Sequence, residues 1–135
     1  MARRLRRGDR VVRLLREDPR RRHRRRGAFL GALFESLATL SVRVFAQAAG
    51  AGVLHFRTKG GEREVDLIVE RDDGRIVAIE VKLSAAVDDE DLTHLTWLRG
   101  RLGESLLDAA VLTTGSHAYR RRDGIGVVPL ALLGP

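Results

Sequence analysis

The chain has 135 residues and no cysteine. That is enough for one domain with a real core, and it excludes disulfides, thiolate metal sites and thiol nucleophiles; a reducing cytoplasm suits it. The net charge of +7 divides unevenly: residues 1–26 hold 13 Arg against Asp9, Glu17 and Asp18, a net of +10, while the remaining 109 residues carry −3.

The basic arm, residues 1–26, contains the block Arg20, Arg21, Arg22, His23, Arg24, Arg25 and Arg26. Such a block repels itself and favours disorder when alone. It reads either as a phosphate-binding arm, neutralising a nucleic-acid backbone with strong salt dependence, or as a linker remnant rich in Arg. Val11, Val12, Leu14 and Leu15 supply a short amphipathic turn ended near Pro19. No uninterrupted apolar core with a cleavage site follows the charges, which argues against a secretory signal. The stretch Ala28 to Val44 contains Glu35 and Arg43 and is short for a membrane span.

From Gly27 onward the composition becomes that of a folded domain, residues 27–135. Phe29, Leu33, Leu37, Leu40 and Val44 recur at helical spacing, and Gly50 is a natural stop. Leu30, Phe34, Val42, Phe45 and Ala46 widen that stripe almost all round, which predicts a helix buried on more than one side. Glu35 is its only acid, either a partly exposed spacer or a carboxylate aimed into a site.

Val53 to Thr58 reads as a strand, and Lys59-Gly60-Gly61 as the turn leading into Arg63 to Asp66. The centre of the chain is Asp66 to Lys82, two runs rich in β-branched residues around Asp72-Asp73-Gly74. This is a hairpin in which Gly74 takes a positive φ. If Arg71 and Arg75 close a three-residue loop, Asp66 lies opposite Glu80. Strand alternation then places Asp66, Glu80 and Lys82 on one face. That face also carries Ile68, Ile76 and Ala78, so it is not a generic polar exterior. Val65, Leu67, Val69, Ile79, Val81 and Leu83 supply the other. The chain uses Arg almost throughout and has only Lys59 and Lys82 as lysines. An ammonium can lose its proton, position a water or act as a point charge beside a phosphate, which a guanidinium does not do equally.

Asp88 to Asp91 opens a second helix carrying Leu92, Leu95, Leu98 and Leu102, its acids complementing the helix dipole. Ala109 to Thr113 is a buried strand following a crossover. Arg120 to Gly124 reads as a loop, and Ile125 to Leu130 as a last strand placed at an edge by Pro129. The order is helix, three-strand meander, helix, strand, strand, an α/β domain with one mixed sheet flanked by helices. The four His lack ligand spacing, no Ser stands in a nucleophile elbow, and nothing supports a repeat, a coiled coil or a Gly-rich phosphate loop.

A helix with Glu, a strand with Asp and a strand with Glu-x-Lys resemble the PD-(D/E)XK, or restriction-endonuclease-like, nuclease superfamily. More closely, Gly31 to Glu35, Phe56 to Gly60, Glu64 to Asp66 and Ile79 to Lys82 resemble the domain of unknown function 4143 over roughly residues 27–133. That domain usually forms the C-terminal part of prokaryotic AAA-type P-loop ATPases. Val65 stands where the superfamily has Pro, and no Walker-type Gly-Lys-Ser/Thr occurs.

The resemblance implies a restriction-endonuclease-like sheet and a DNA endonuclease dependent on Mg²⁺ or Mn²⁺. Asp66 and Glu80 would be metal ligands, with the Val81 carbonyl a further one. Glu35 would bind the metal or orient its water, and Lys82 would position the water or steady the phosphate. Arg20, Arg21, Arg22, Arg24, Arg25, Arg26, Arg57 and Lys59 are the candidate nucleic-acid contacts. An ATPase or another protein is an implied partner. The alternative is a catalytically silent DNA-binding or protein-interaction module of the same fold.

Overall fold

The computed structural model describes residues 25–134, so the candidate contacts Arg20 to Arg24 lie outside the described residues, as do the side chains of Arg25 and Arg26. Helix α1 runs Arg25–Ala48 and is followed by β1 (Gly52–Arg57), β2 (Glu64–Glu70) and β3 (Ile76–Val81). Helix α2 (Thr93–Leu102) then leads to β4 (Leu106–Thr113), β5 (Tyr119–Arg120) and β6 (Gly126–Pro129). The six strands form one open mixed sheet in the order β1-β2-β3-β4-β6-β5. The first three are antiparallel, as a meander requires; β3, β4 and β6 are parallel, and β5 returns antiparallel to β6.

Helix α1 ends where its sequence predicts. Gly50 has φ +70°, and the Ala51 N–H reaches back to the Ala46 carbonyl at 2.7 Å, which satisfies a terminal acceptor. The central hairpin also forms in the expected register. Leu67 pairs with Ile79, Ile68 with Ala78 and Val69 with Val77, while Arg71 donates to the Arg75 carbonyl at 3.0 Å. Gly74 sits in the turn at φ +81°, a conformation that L side chains rarely tolerate.

Both faces of the sheet are covered. Leu67, Ile79 and Leu112 pack under Ala38 and Val42 of α1. Ile68, Ala78, Ala109, Val111 and Val127 pack on the opposite side, with Leu95 and Leu98 of α2. Trp97 extends that contact, its ring 5.8 Å from the Phe56 ring and beneath the Arg63 guanidinium at 5.6 Å.

Three expectations are corrected here. Strand β6 is not at the edge, because the two-residue β5 covers it at Gly126 and Val127. Pro129 lies past the end of that short ladder, so its missing N–H costs no bond to β5. Arg120, read as loop, belongs to β5.

Helix α1 is also not buried on several sides. It meets the sheet through the small or branched residues Ala38, Val42 and Ala46, leaving Phe29, Leu33, Leu37, Leu40 and Val44 exposed. The helix is longer than the stretch considered from sequence. Gly27–Ala48 is long and apolar enough to cross a membrane by length and composition, yet one face of it is packed on the sheet.

Candidate active site

The site is built on an irregularity in β2. Leu54 pairs with Ile68 and Phe56 with Val65, so one residue of β1, His55, faces two of β2, Asp66 and Leu67. That is a β-bulge, and bulges re-aim side chains beside active sites. Val65 and Ile68 consequently share the α2-side core although they are three residues apart, which an unbroken strand forbids. Val65 therefore leaves the apolar face that simple alternation assigns it.

The bulge frees Asp66 from the alternation as well. Lys82 donates its N–H to the Leu112 carbonyl of β4 at 2.8 Å, so the preceding N–H, that of Val81, points the other way, toward β2. There it meets Asp66 Oδ2 at 2.7 Å rather than a ladder carbonyl. The Asp66 carboxylate thus replaces a backbone acceptor where the β2–β3 ladder ends.

Glu80 is next in line and hydrogen-bonds Asp66. Its pKa is pushed up to about 9, first by burial, then by the Asp66 charge, the hydrogen bond to Asp66 and the Glu64 charge. Its Oε1 is buried without a hydrogen-bond partner. An orphaned carboxyl oxygen in a protein interior is costly and calls for an explanation.

Glu35 reaches the same region from α1. Partial burial raises its pKa, assisted by the Asp66 and Glu64 charges, although the residue as a whole is exposed. It borders a shallow groove of about 460 Å³ between α1 and β1, lined also by Ser36, Thr39, Arg43 and His55.

Lys82 turns toward α2, where its ammonium pairs with Asp91. Burial works against the Asp91 charge. The hydrogen bonds from Lys82 and from the Asp88 N–H, the latter at 2.7 Å, prevail and hold its pKa below the ordinary value. Asp91 was missed by the sequence reading, which assigned its acidic run to a helix dipole. The helix proper begins two residues later, at Thr93, after a short 3₁₀ turn, Glu90–Leu92. The only signal was four acids of which one could be spared for the rare lysine.

The expected residues therefore meet in part. Asp66 and Glu80 join directly, Glu35 acts on Asp66 through its charge, and Lys82 is held by Asp91. Among the described residues, no three His, Asp or Glu side chains group as ligands of one metal ion.

Of the candidate phosphate contacts, Lys59 is exposed in the β1–β2 turn, and Arg57 lies 3.9 Å from Glu64 across the strands. Arg120 and Arg121 have structural work. Arg120 grips both oxygens of Asp108 at 2.8 and 2.9 Å, and Arg121 pairs with Asp89 and Asp123.

The family described as domain of unknown function (DUF4143) matches residues 30–133, from the second turn of the described part of α1 to the last 3₁₀ turn. The chain belongs to that family. Its match includes Glu35, Asp66, Glu80, Lys82 and Asp91, so the whole cluster lies within the family domain. No curated protein and no solved structure matches the chain significantly.

Proposed function

We propose that this DUF4143 domain is a metal-dependent phosphodiesterase of the restriction-endonuclease-like kind, with DNA as substrate. The observation that carries it is the half-buried Asp66–Glu80 pair with its buried, unpartnered Glu80 oxygen. Two carboxylates are a sufficient protein share for Mg²⁺ or Mn²⁺, since Mg²⁺ keeps several waters and commonly takes one or two carboxylates. A cation at Glu80 Oε1 would give that atom a partner and favour the ionised carboxyl, so the residues fit the group. Asp66 and Glu80 would hold it, with the Val81 carbonyl beside them.

When bound, such a cation would neutralise charge on the phosphoryl oxygens and lower the pKa of a water. Lys82, paired with Asp91, would position that water or steady the phosphate. Glu35, whose pKa is raised by partial burial and the Asp66 charge, would orient the water and accept its proton. Arg43 and His55, which line the groove beside Glu35, are suited to a flanking backbone phosphate.

Incubating plasmid DNA with the protein and Mg²⁺ or Mn²⁺ tests this directly. Cleavage should fall by at least about 100-fold in both Asp66→Ala and Lys82→Ala. A specific observation favours the second reading, a silent binding module: Lys82 is already engaged by Asp91, and among the described residues no third carboxylate groups with the pair as a metal ligand. Absence of cleavage with either metal, with DNA binding unchanged in both variants, would select the module.

In either case the arm should supply most nonspecific affinity, because it carries the positive charge while the domain is acidic. Changing Arg20, Arg21, Arg22 and Arg24 to Gln is expected to flatten the salt slope of DNA binding by up to about 3–4, near 0.9 per lost phosphate contact. An unchanged slope in a fluorescence-anisotropy titration would move the contacts to Arg57 and Lys59.

A further inference from the structure

We propose that the exposed face of α1 is a self-association surface, pairing antiparallel with α1 of a second copy of this chain. This goes beyond the proposed chemistry and stands independently of it. The face consists of Phe29, Leu30, Leu33, Leu37, Leu40 and Val44, each more than half exposed, from 51% at Leu33 to 66% at Phe29. A contiguous row of that size on a soluble surface marks an interaction site.

Spacing narrows the geometry. Leu30, Leu33, Leu37, Leu40 and Val44 follow one another at intervals of three, four, three and four residues, the a/d pattern of a helix–helix seam. Two heptads are too few to announce a coiled coil from sequence, where three or four are needed. The burial pattern reveals the seam, because the Ala38–Val42 side of the helix is already taken by the sheet.

Charge selects both the partner and its direction. The helix starts on Arg25 and Arg26, continuing the Arg20 to Arg26 block, and has no acid in its first turn and no base in its last. Cations are unfavourable at a helix N-terminus, and the C-terminal carbonyls lack a cationic partner within the helix. An antiparallel second copy eases both, bringing the Arg25 end of each described helix beside the other helix's C-terminus. A parallel pair would instead bring the two Arg25 ends together. In the antiparallel register that keeps the whole seam, Leu37 lies against Leu40 of the partner, Leu33 against its Val44 and Leu30 against its Gln47. Glu35 lies on the opposite side of the helix from that seam, while Leu40, at the seam's edge, borders the groove beside Glu35.

The test is sedimentation equilibrium of the full chain, with Leu37→Glu/Leu40→Glu as the variant. Both positions are solvent-facing, so the fold should persist, and circular dichroism verifies it. The expected result is a concentration-dependent dimer whose dissociation constant rises by at least about 100-fold in the variant. Because the chain has no cysteine, introduced thiols report direction. Leu30→Cys/Gln47→Cys should cross-link between copies under oxidation, while Leu30→Cys alone should not. Residues 30 and 47 are about 25 Å apart along one helix, too far to bridge internally. Cross-linking by Leu30→Cys alone would overturn the antiparallel pairing. A monomer at every concentration would overturn the proposal, whether the face then binds anionic lipid vesicles or is covered by Val11 to Leu15 of the same chain.

Discussion

Glu80→Gln is expected to raise the melting temperature of the metal-free domain at pH 8 and to flatten its dependence on pH. In the folded chain the Glu80 pKa is pushed up to about 9, against an ordinary value of 4.5. Between those values the unfolded chain has lost the proton and the folded chain retains it. The Glu80 contribution to stability is therefore fully present below about pH 4.5 and is lost as pH rises toward 9.

Glutamine keeps a donor for Asp66 and has no proton to lose, so this penalty disappears. The gain at pH 8 should be about 2 kcal/mol or more, read from denaturant titrations. Saturating Mn²⁺ should reverse the order, stabilising the native chain and not the variant, because a bound cation favours the ionised carboxyl. A native chain equally stable from pH 5 to pH 9 would show that Glu80 titrates as an ordinary carboxylate.

Leu67→Ala is expected to cost about 2–5 kcal/mol, the range for deleting a buried leucine side chain without collapse of the site. Leu67 is fully buried under Ala38 and Val42, and it is the bulge residue next to Asp66. The loss should appear as a lower urea midpoint at unchanged slope. If cleavage is present, it should fall as well, since the cavity lets Asp66 drift from the Val81 N–H. A cost under 1 kcal/mol would mean that α1 does not close over this part of the sheet.

The hairpin was legible because its information is local. Gly74 in an Asp-Asp-Gly turn set the loop length, loop length set the register, and Leu67 duly pairs with Ile79. The parallel crossover through α2 was legible too, since a buried strand after an amphipathic helix has few alternatives. The mixed α/β sheet follows from these two units.

The bulge was not legible, because nothing in Glu64 to Leu67 says which residue lacks a partner on β1. That depends on how β1 and β2 twist against each other. The exposed seam of α1 was misread for a related reason. A helix apolar nearly all round does not say which face the sheet will take, and the sheet took the small side chains, which allow close approach.

What the sequence by itself determined is the set of chemically competent groups: Glu35, Asp66, Glu80 and the rare Lys82, on a helix and two adjacent strands, behind an Arg-rich arm. Alternation and loop length sufficed, because they act within a few residues. Only the tertiary structure decided how those groups are spent. Burial pushed the Glu80 pKa up and orphaned one of its oxygens, the bulge turned Asp66 onto the Val81 N–H, and the 3₁₀ turn before α2 brought Asp91 to Lys82. Desolvation and long-range charge depend on what surrounds a side chain in space, and a linear pattern does not carry that.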